Sequence, residues 1–194
     1  VVKFGGKSLA NGKGLDSSLS IIANKVANGE QIALVVSARG KTTDQLESIL
    51  EKAKNNLPYL EELQQVKEYQ LPKDISVDVS AGFQLLDEIF KGVNLLGDYS
   101  PKVKDQILAQ GEVLSAKVIA DLLNKKNVKS KFVDSRSLIK TNNQFGEAQV
   151  FESVSEDNVV EHFRKIVDNE IQVITGFIGS NLNGETTTLG RNGS

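Results

Sequence analysis

Four clusters in the sequence have residue types and spacing suited to chemistry on a small charged molecule. The first is Lys3-Phe4-Gly5-Gly6-Lys7-Ser8. Paired glycines after a short β-type run let backbone N–H groups approach a phosphate, and Lys3 and Lys7 supply positive charge. A P-loop is excluded, because that pattern needs a glycine five positions before Gly6 and the chain has Val1 there. The bland alternative is a tight glycine turn with solvated lysines. The second cluster is Ser37-Ala38-Arg39-Gly40-Lys41-Thr42-Thr43, hydroxyls and cations crowded at the end of an apolar run. Here Thr42 or Thr43 could equally be a helix N-cap. The third is Glu112. At ~100° per residue, Leu108, Ala116, Ile119 and Leu123 project within about 40° of it, while Gln106, Gln110, Lys117 and Asp121 gather opposite. A carboxylate on an apolar face is costly unless paired or functional, so Glu112 is either half of a buried ion pair or a working group. Gly111 beside it permits close approach by another backbone or a ligand. The fourth is the tail from Gly176 to Ser194, in which Arg191 has glycines close on both sides. Arginine grips carboxylates bidentately, and small neighbours leave room for the ligand; a plain surface loop is the alternative. His162 reads as a boundary residue of an amphipathic helix.

These residues need a scaffold, and the patterning supplies one. Val1–Phe4, Gln31–Ser37, Val128–Asp134 and Ile171–Ile178 read as strands, the second and fourth as apolar runs suited to a buried parallel sheet. Gly14–Ala27, Thr43–Lys54 and Val159–Val167 carry helical spacing. Asn181–Gly184 reads as a hairpin turn between Ile174–Ser180 and Glu185–Leu189. From Pro58 to Asn124 helical signals dominate, a helical excursion attached to the sheet. The β-α-β alternation predicts an α/β layered fold with a mostly parallel sheet. In such sheets ligands bind beyond the carboxyl ends of the strands, which directs attention to residues 5–8, 37–43 and 179–194.

Composition narrows the chemistry further. The 194 residues carry 23 Lys+Arg against 25 Asp+Glu, a formal charge of −2, so nothing draws the chain generally to nucleic acid or an anionic membrane. With no Cys and a single His, thiolate nucleophiles, disulfides, thiolate metal sites and a histidine metal cage all drop out. No apolar run approaches the ~18–20 residues that span a bilayer, and no signal-peptide pattern opens the chain. A cytoplasmic, soluble protein is expected. The chain lacks Met and stops in the loop-like Gly190-Arg191-Asn192-Gly193-Ser194, which leads us to expect a fragment.

Taken in order, the clusters resemble one family closely, the aspartate kinases of the amino acid kinase superfamily. Lys3-Phe4-Gly5-Gly6-Lys7-Ser8 resembles the family's opening K-F-G-G-T-S, and Val36-Ser37-Ala38 with Thr43 resembles its S-A…T-[ND] segment. Gln110-Gly111-Glu112-Val113-Leu114-Ser115 is similar to its [RS]-x-G-E-x-[LM]-S helix. Thr141-Asn142-Asn143-Gln144-Phe145-Gly146-Glu147-Ala148 is similar to its T-[DN]-x-x-[FY]-G-x-A loop. The tail resembles G-F-I-G-x-…-G-x-T-T-T-L-G-R-G-G-S-D almost residue for residue. Two departures stand out: Lys7 replaces the usual Thr, and Asn192 replaces a Gly. The Asn192 variation, with Gly92-Val93-Asn94-Leu95-Leu96-Gly97, is similar to bifunctional relatives fused to homoserine dehydrogenase.

The resemblance implies the amino acid kinase (carbamate kinase-like) fold, a three-layer α/β sandwich. Residues 1–194 would be its N-terminal, amino-acid-binding lobe, with the helical excursion at about 58–124. The ATP lobe and regulatory domains would follow, beginning with an Asp one residue past Ser194. The implied reaction is ATP-dependent phosphorylation of the side-chain carboxylate of L-aspartate, with Mg2+, in a homo-oligomeric parent. The implied roles give Lys3 to the transferring phosphoryl group, helped by Gly5, Gly6 and Ser8. Ser37 and Thr43 would position the substrate, and Arg191, with Ser194 beside it, would clamp a substrate carboxylate. Glu112 would meet the substrate ammonium or steady Lys3. Two rival readings are another superfamily kinase, and an amino-acid-binding module that turns over nothing; without an ATP half the isolated 194 residues are expected to be inactive.

Overall fold

The computed structural model describes residues 1–72, 75–166 and 169–190. Four parallel strands form the main sheet in the order β1 (Val2–Phe4), β2 (Ala33–Val36), β5 (Ile171–Thr175), β3 (Ser130–Val133). Its register pairs Lys3 with Val35 and Val36 with Thr175, so the carboxyl ends of β1, β2 and β5 finish level with one another. A second, three-stranded sheet runs β4 (Lys140–Thr141), β6 (Ile178–Asn181), β7 (Thr186–Thr188), with β6 and β7 antiparallel. The helices are α1 (Lys13–Ala27), α2 (Thr42–Lys54), α3 (Leu60–Gln70), α4 (Ser80–Leu96), α5 (Pro101–Lys125) and α6 (Glu152–Arg164).

Helix α5 is the spine. It starts with Pro101 in the first turn behind Ser100, whose hydroxyl accepts the Val103 N–H at 3.4 Å, an ordinary N-cap arrangement. Its Ala116, Ile119 and Leu123 join Leu15, Leu19 and Ile22 of α1 and Leu34, Val36 and Val173 of the sheet in one core. Its Ile107, Leu108 and Leu114 join Leu46 and Ile49 of α2, Val66 of α3 and Phe90 of α4 in a second. The helix is therefore covered nearly all round, and Gln110, which the periodicity places on a polar face, is buried. Sheet and helical layer claim different sides of one helix, so a single-face pattern understates its burial. The opposite face of the main sheet is an open apolar groove of about 860 Å³, walled by Val35 and Ile174 from the sheet and Val159 and Phe163 from α6.

Most element readings agree with the structure to within a residue or two, with three differences. Helix α6 begins at Glu152, seven residues before the expected Val159, because Glu152–Asn158 is too polar to show periodicity. The expected strand Ile171–Ile178 is broken. Phe177 adopts φ 64°, which turns the chain out of the main sheet and starts β6 in the other. Neither Thr42 nor Thr43 is an N-cap; Lys41 holds that position, and the Thr42 hydroxyl donates to the Arg39 carbonyl at 2.7 Å.

Phe90 is fully buried in the helical core, its ring centroid 6.0 Å from that of Tyr59. Truncation to Ala removes most of a ring with no neighbour free to fill the space, and we expect Phe90→Ala to cost about 3–5 kcal/mol in urea unfolding.

Candidate active site

The carboxyl ends of β1 and β2 face a small cleft of about 260 Å³ lined by Gly6, Ser37, Ala38, Gly40, Lys41, Thr43, Asp44, Glu112 and Phe177. That is below the ~300–1,000 Å³ of sites for drug-sized molecules and suits something the size of an amino acid. Two loops and one helix build it. The turn after β1 and the turn after β2 are locked together, the Gly40 N–H donating to the Gly6 carbonyl at 2.8 Å. A Cβ on Gly6 would lie 2.7 Å from the Ala38 carbonyl oxygen and 2.9 Å from that of Gly40, so only glycine allows this approach. Gly5 differs: a Cβ there would meet nothing within 4 Å, which leaves open space beside that backbone.

Helix α5 contributes Glu112 from the third side. Gly111 lets the helix lie against the second loop, since a Cβ there would stand 3.2 Å from the Ala38 Cβ and 3.4 Å from the Thr42 Cγ2. The neighbour Gly111 admits is thus the protein's own β2–α2 turn. The Ser115 hydroxyl, one turn on, donates to the Ser37 carbonyl at 2.7 Å and fixes the helix to the strand end.

Glu112 is 3% exposed, and its Oε2 has no hydrogen-bond partner. Burial pushes its pKa up to about 8, opposed by a hydrogen bond from the Ala38 N–H and by the positive charge of Lys3. The carboxyl is therefore mostly protonated at neutral pH, and a cation arriving at the orphan oxygen would favour its ionised form. Lys3 itself is exposed on β1.

The structure gathers Gly6, Ser37, Thr43 and Glu112 around one cleft. Lys3, Gly5 and Ser8 are exposed and do not line it, although Lys3 is near enough for its charge to act on Glu112. Ser8 is engaged in its own turn: its N–H donates to the Gly5 carbonyl at 3.0 Å, and its carbonyl accepts the Ser18 hydroxyl at 2.8 Å. Arg191 and Ser194 lie outside the described residues. His162 pairs with Gln172 at 3.2 Å, away from the cleft.

Two residues escaped the sequence reading, Phe177 in the cleft and Asp105 outside its lining. Asp105, two turns before Glu112 on α5, is 1% exposed and accepts the Gly146 N–H at 2.9 Å, the Thr188 N–H at 2.9 Å and the Thr188 hydroxyl at 2.8 Å. It holds the Thr141–Ala148 loop and the β6–β7 hairpin beside the helix. Its seven-residue spacing from Glu112 was the available signal. Phe177 lines the cleft from its left-handed backbone conformation, a geometry that costs a non-glycine residue on the order of 1 kcal/mol.

A sequence model described as the amino acid kinase family matches residues 1–194. The chain belongs to the amino acid kinase family. Among its relatives, aspartokinase 1 of Arabidopsis thaliana, a chloroplastic protein, is 29% identical over 206 residues, covering 100% of this chain and 36% of its own. The bifunctional aspartokinase/homoserine dehydrogenase 2 of Escherichia coli is 31% identical over 209 residues, covering 99% of this chain and 24% of its own. The crystal structure of E. coli aspartokinase III in complex with aspartate and ADP superimposes with a TM-score of 0.85 at 24% identity, over 99% of this chain and 43% of that one. The family member described here thus spans less than half the length of these relatives. Its α/β fold, with a parallel main sheet, is theirs. Among the described residues no helix is long and apolar enough to cross a membrane.

The raised pKa of Glu112 predicts a pH dependence of stability. The folded chain keeps this proton up to about pH 8, whereas an unfolded glutamate releases it near the ordinary value of 4.5. The native state then binds more protons than the unfolded state, so this group's contribution to stability falls as pH rises through that window. Glu112→Gln removes the titration. Relative to wild type it should gain stability between pH 5 and 8, with a slope approaching about 1.4 kcal/mol per pH unit in chemical denaturation. Parallel stability–pH profiles would contradict the assignment.

Proposed function

We propose that this chain is the amino-acid-binding lobe of an aspartate kinase, which phosphorylates the side-chain carboxylate of L-aspartate at the expense of ATP to give 4-phospho-L-aspartate. The observation that carries this reading is the buried, half-satisfied Glu112 in an amino-acid-sized cleft with Ser37, Thr43 and Gly6, at the carboxyl ends of parallel strands. The similarity of the whole chain to aspartokinases supports it.

Phosphoryl transfer to a carboxylate asks the protein for positioning and charge neutralisation rather than covalent work. The Ser37 and Thr43 hydroxyls orient the aspartate in the cleft. Glu112 receives the substrate ammonium through its free Oε2, releasing its proton to solvent as the cation arrives. Arg191, from the segment beyond β7, clamps a substrate carboxylate, and Ser194 closes the same segment. When bound, ATP with Mg2+ supplies the phosphoryl group. Lys3 is exposed at the cleft's edge, where its ammonium can neutralise that group, and the open space at Gly5 admits a phosphate to the backbone beside Gly6 and Ser8. The parent acts as a cytoplasmic homo-oligomer whose remaining length carries the nucleotide lobe and regulatory domains.

Hydroxylamine trapping of acyl phosphate tests this directly, on the 194 residues and on a chain extended past Ser194 to the full length of its relatives. Product with aspartate, ATP and magnesium from the extended chain alone is expected; none from a folded extended chain would overturn the reading. In the extended chain Lys3→Ala should lower kcat by about two orders of magnitude or more, through loss of charge stabilisation in the transition state. A near-normal rate would remove Lys3 from the phosphoryl site.

A further inference from the structure

Arg39, at the centre of the β2–α2 turn, is the largest side chain buried to 0% exposure in the protein's described residues. Among the interactions described it has no carboxylate partner. One nitrogen, Nη2, donates to the Tyr69 carbonyl at 2.6 Å and to the Asn11 Oδ1 at 2.9 Å; Nε and Nη1 have no partner. A buried guanidinium without a counter-charge is expensive, and Met or Leu of similar volume would fill the space at lower cost. What offsets it here is the carboxyl end of α3: the Tyr69 carbonyl belongs to its last turn, the negative end of the helix dipole, and the Tyr69 ring lies 5.4 Å from the guanidinium carbon.

Three segments meet at this point. The Asn11 side chain also donates to the Tyr69 carbonyl at 3.0 Å, and the Asn11 N–H donates to the Tyr69 hydroxyl at 3.2 Å. Gln70 donates to the Thr42 hydroxyl at 2.6 Å, and its Oε1 is left unpartnered. The loop after β1, the turn after β2 and the end of α3 are thus tied by one buried cation; the first two carry Gly6 and Ser37, and the second leads directly into Thr43 at the start of α2.

We propose that Arg39 is a positioning residue for substrate: it fixes the two cleft loops to α3, so that the helical layer sets the separation of Gly6 from Ser37 and Thr43. The kinetic part of this inference rests on the aspartate kinase reading; the structural part does not.

Two measurements test it. In native-state hydrogen exchange of the 194-residue chain, Arg39→Met should accelerate the Gly40 and Asn11 amides by about tenfold or more while amides of β5 keep their protection, since only a local opening is made easier. In the extended chain the same substitution should raise the aspartate KM about tenfold with kcat within about threefold, the signature of lost ground-state binding. Should Arg39→Met fail to fold, Asn11→Ala serves, because Asn11 is exposed and its side chain makes only the two bridging bonds to this cluster. A rise in exchange shared equally by β5, or unchanged Gly40 and Asn11 amides, overturns the proposal, as does a kcat loss with KM unaltered. If the extended wild-type chain forms no acyl phosphate, the aspartate kinase reading falls and the exchange result still decides the role of Arg39.

Discussion

Helix α5 carries polar groups into the middle of the protein, and with almost no water in reach each must be satisfied by a different element. Asp105 takes two N–H groups and a hydroxyl from the Gly146 loop and β7. Ser115 donates to the end of β2. Glu112 takes the Ala38 N–H and is left with one oxygen over. These bonds fix the hairpin, the strand ends and the cleft relative to a single rod. Small residues make the approach possible: Gly111 on the helix and Gly6 on the facing loop both stand where a methyl group would collide with or crowd a neighbour.

In the proposed function the leftover oxygen of Glu112 is where structure passes into chemistry. Burial favours the neutral acid, so Glu112 by itself brings little negative charge to the cleft. A bound ammonium reverses that preference by supplying the missing counter-charge at close range. Ionisation of Glu112 would therefore be coupled to the arrival of any cation at that oxygen, and a neutral side chain of the same shape would offer no such gain. Lys3, exposed at the strand edge, keeps a positive charge nearby without occupying the cleft.

The helical layer takes part through its ends rather than its faces. Helices α2, α3 and α4 pack with α5 in a core of their own, which reaches the cleft directly through the first turn of α2 and is tied to its loops by the last turn of α3. Tyr69 and Gln70 project from that turn onto Asn11, Arg39 and Thr42. A displacement of α3 is therefore felt at both cleft loops, and the buried charge makes the junction intolerant of partial separation.

Much of the architecture could be read in one dimension. Apolar runs bounded by glycine located β1, β2 and β5, helical spacing located α1 and α2, and the Asn181–Gly184 turn located the β6–β7 hairpin, because these signals depend on local backbone preference and one buried side. Glu112 was legible for the same reason, as a carboxylate where an apolar residue belonged. Tertiary structure alone decided what depends on two sides at once. The full burial of α5, with Gln110 inside, follows from packing two cores against one helix. The break at Phe177 follows from a left-handed backbone that its residue type disfavours. The capture of Arg39 by the end of α3 joins residues 30 positions apart that no periodicity connects. A sequence shows which residues are out of place by their polarity, but their partners come from elements distant in the chain, and only the packed fold brings those together.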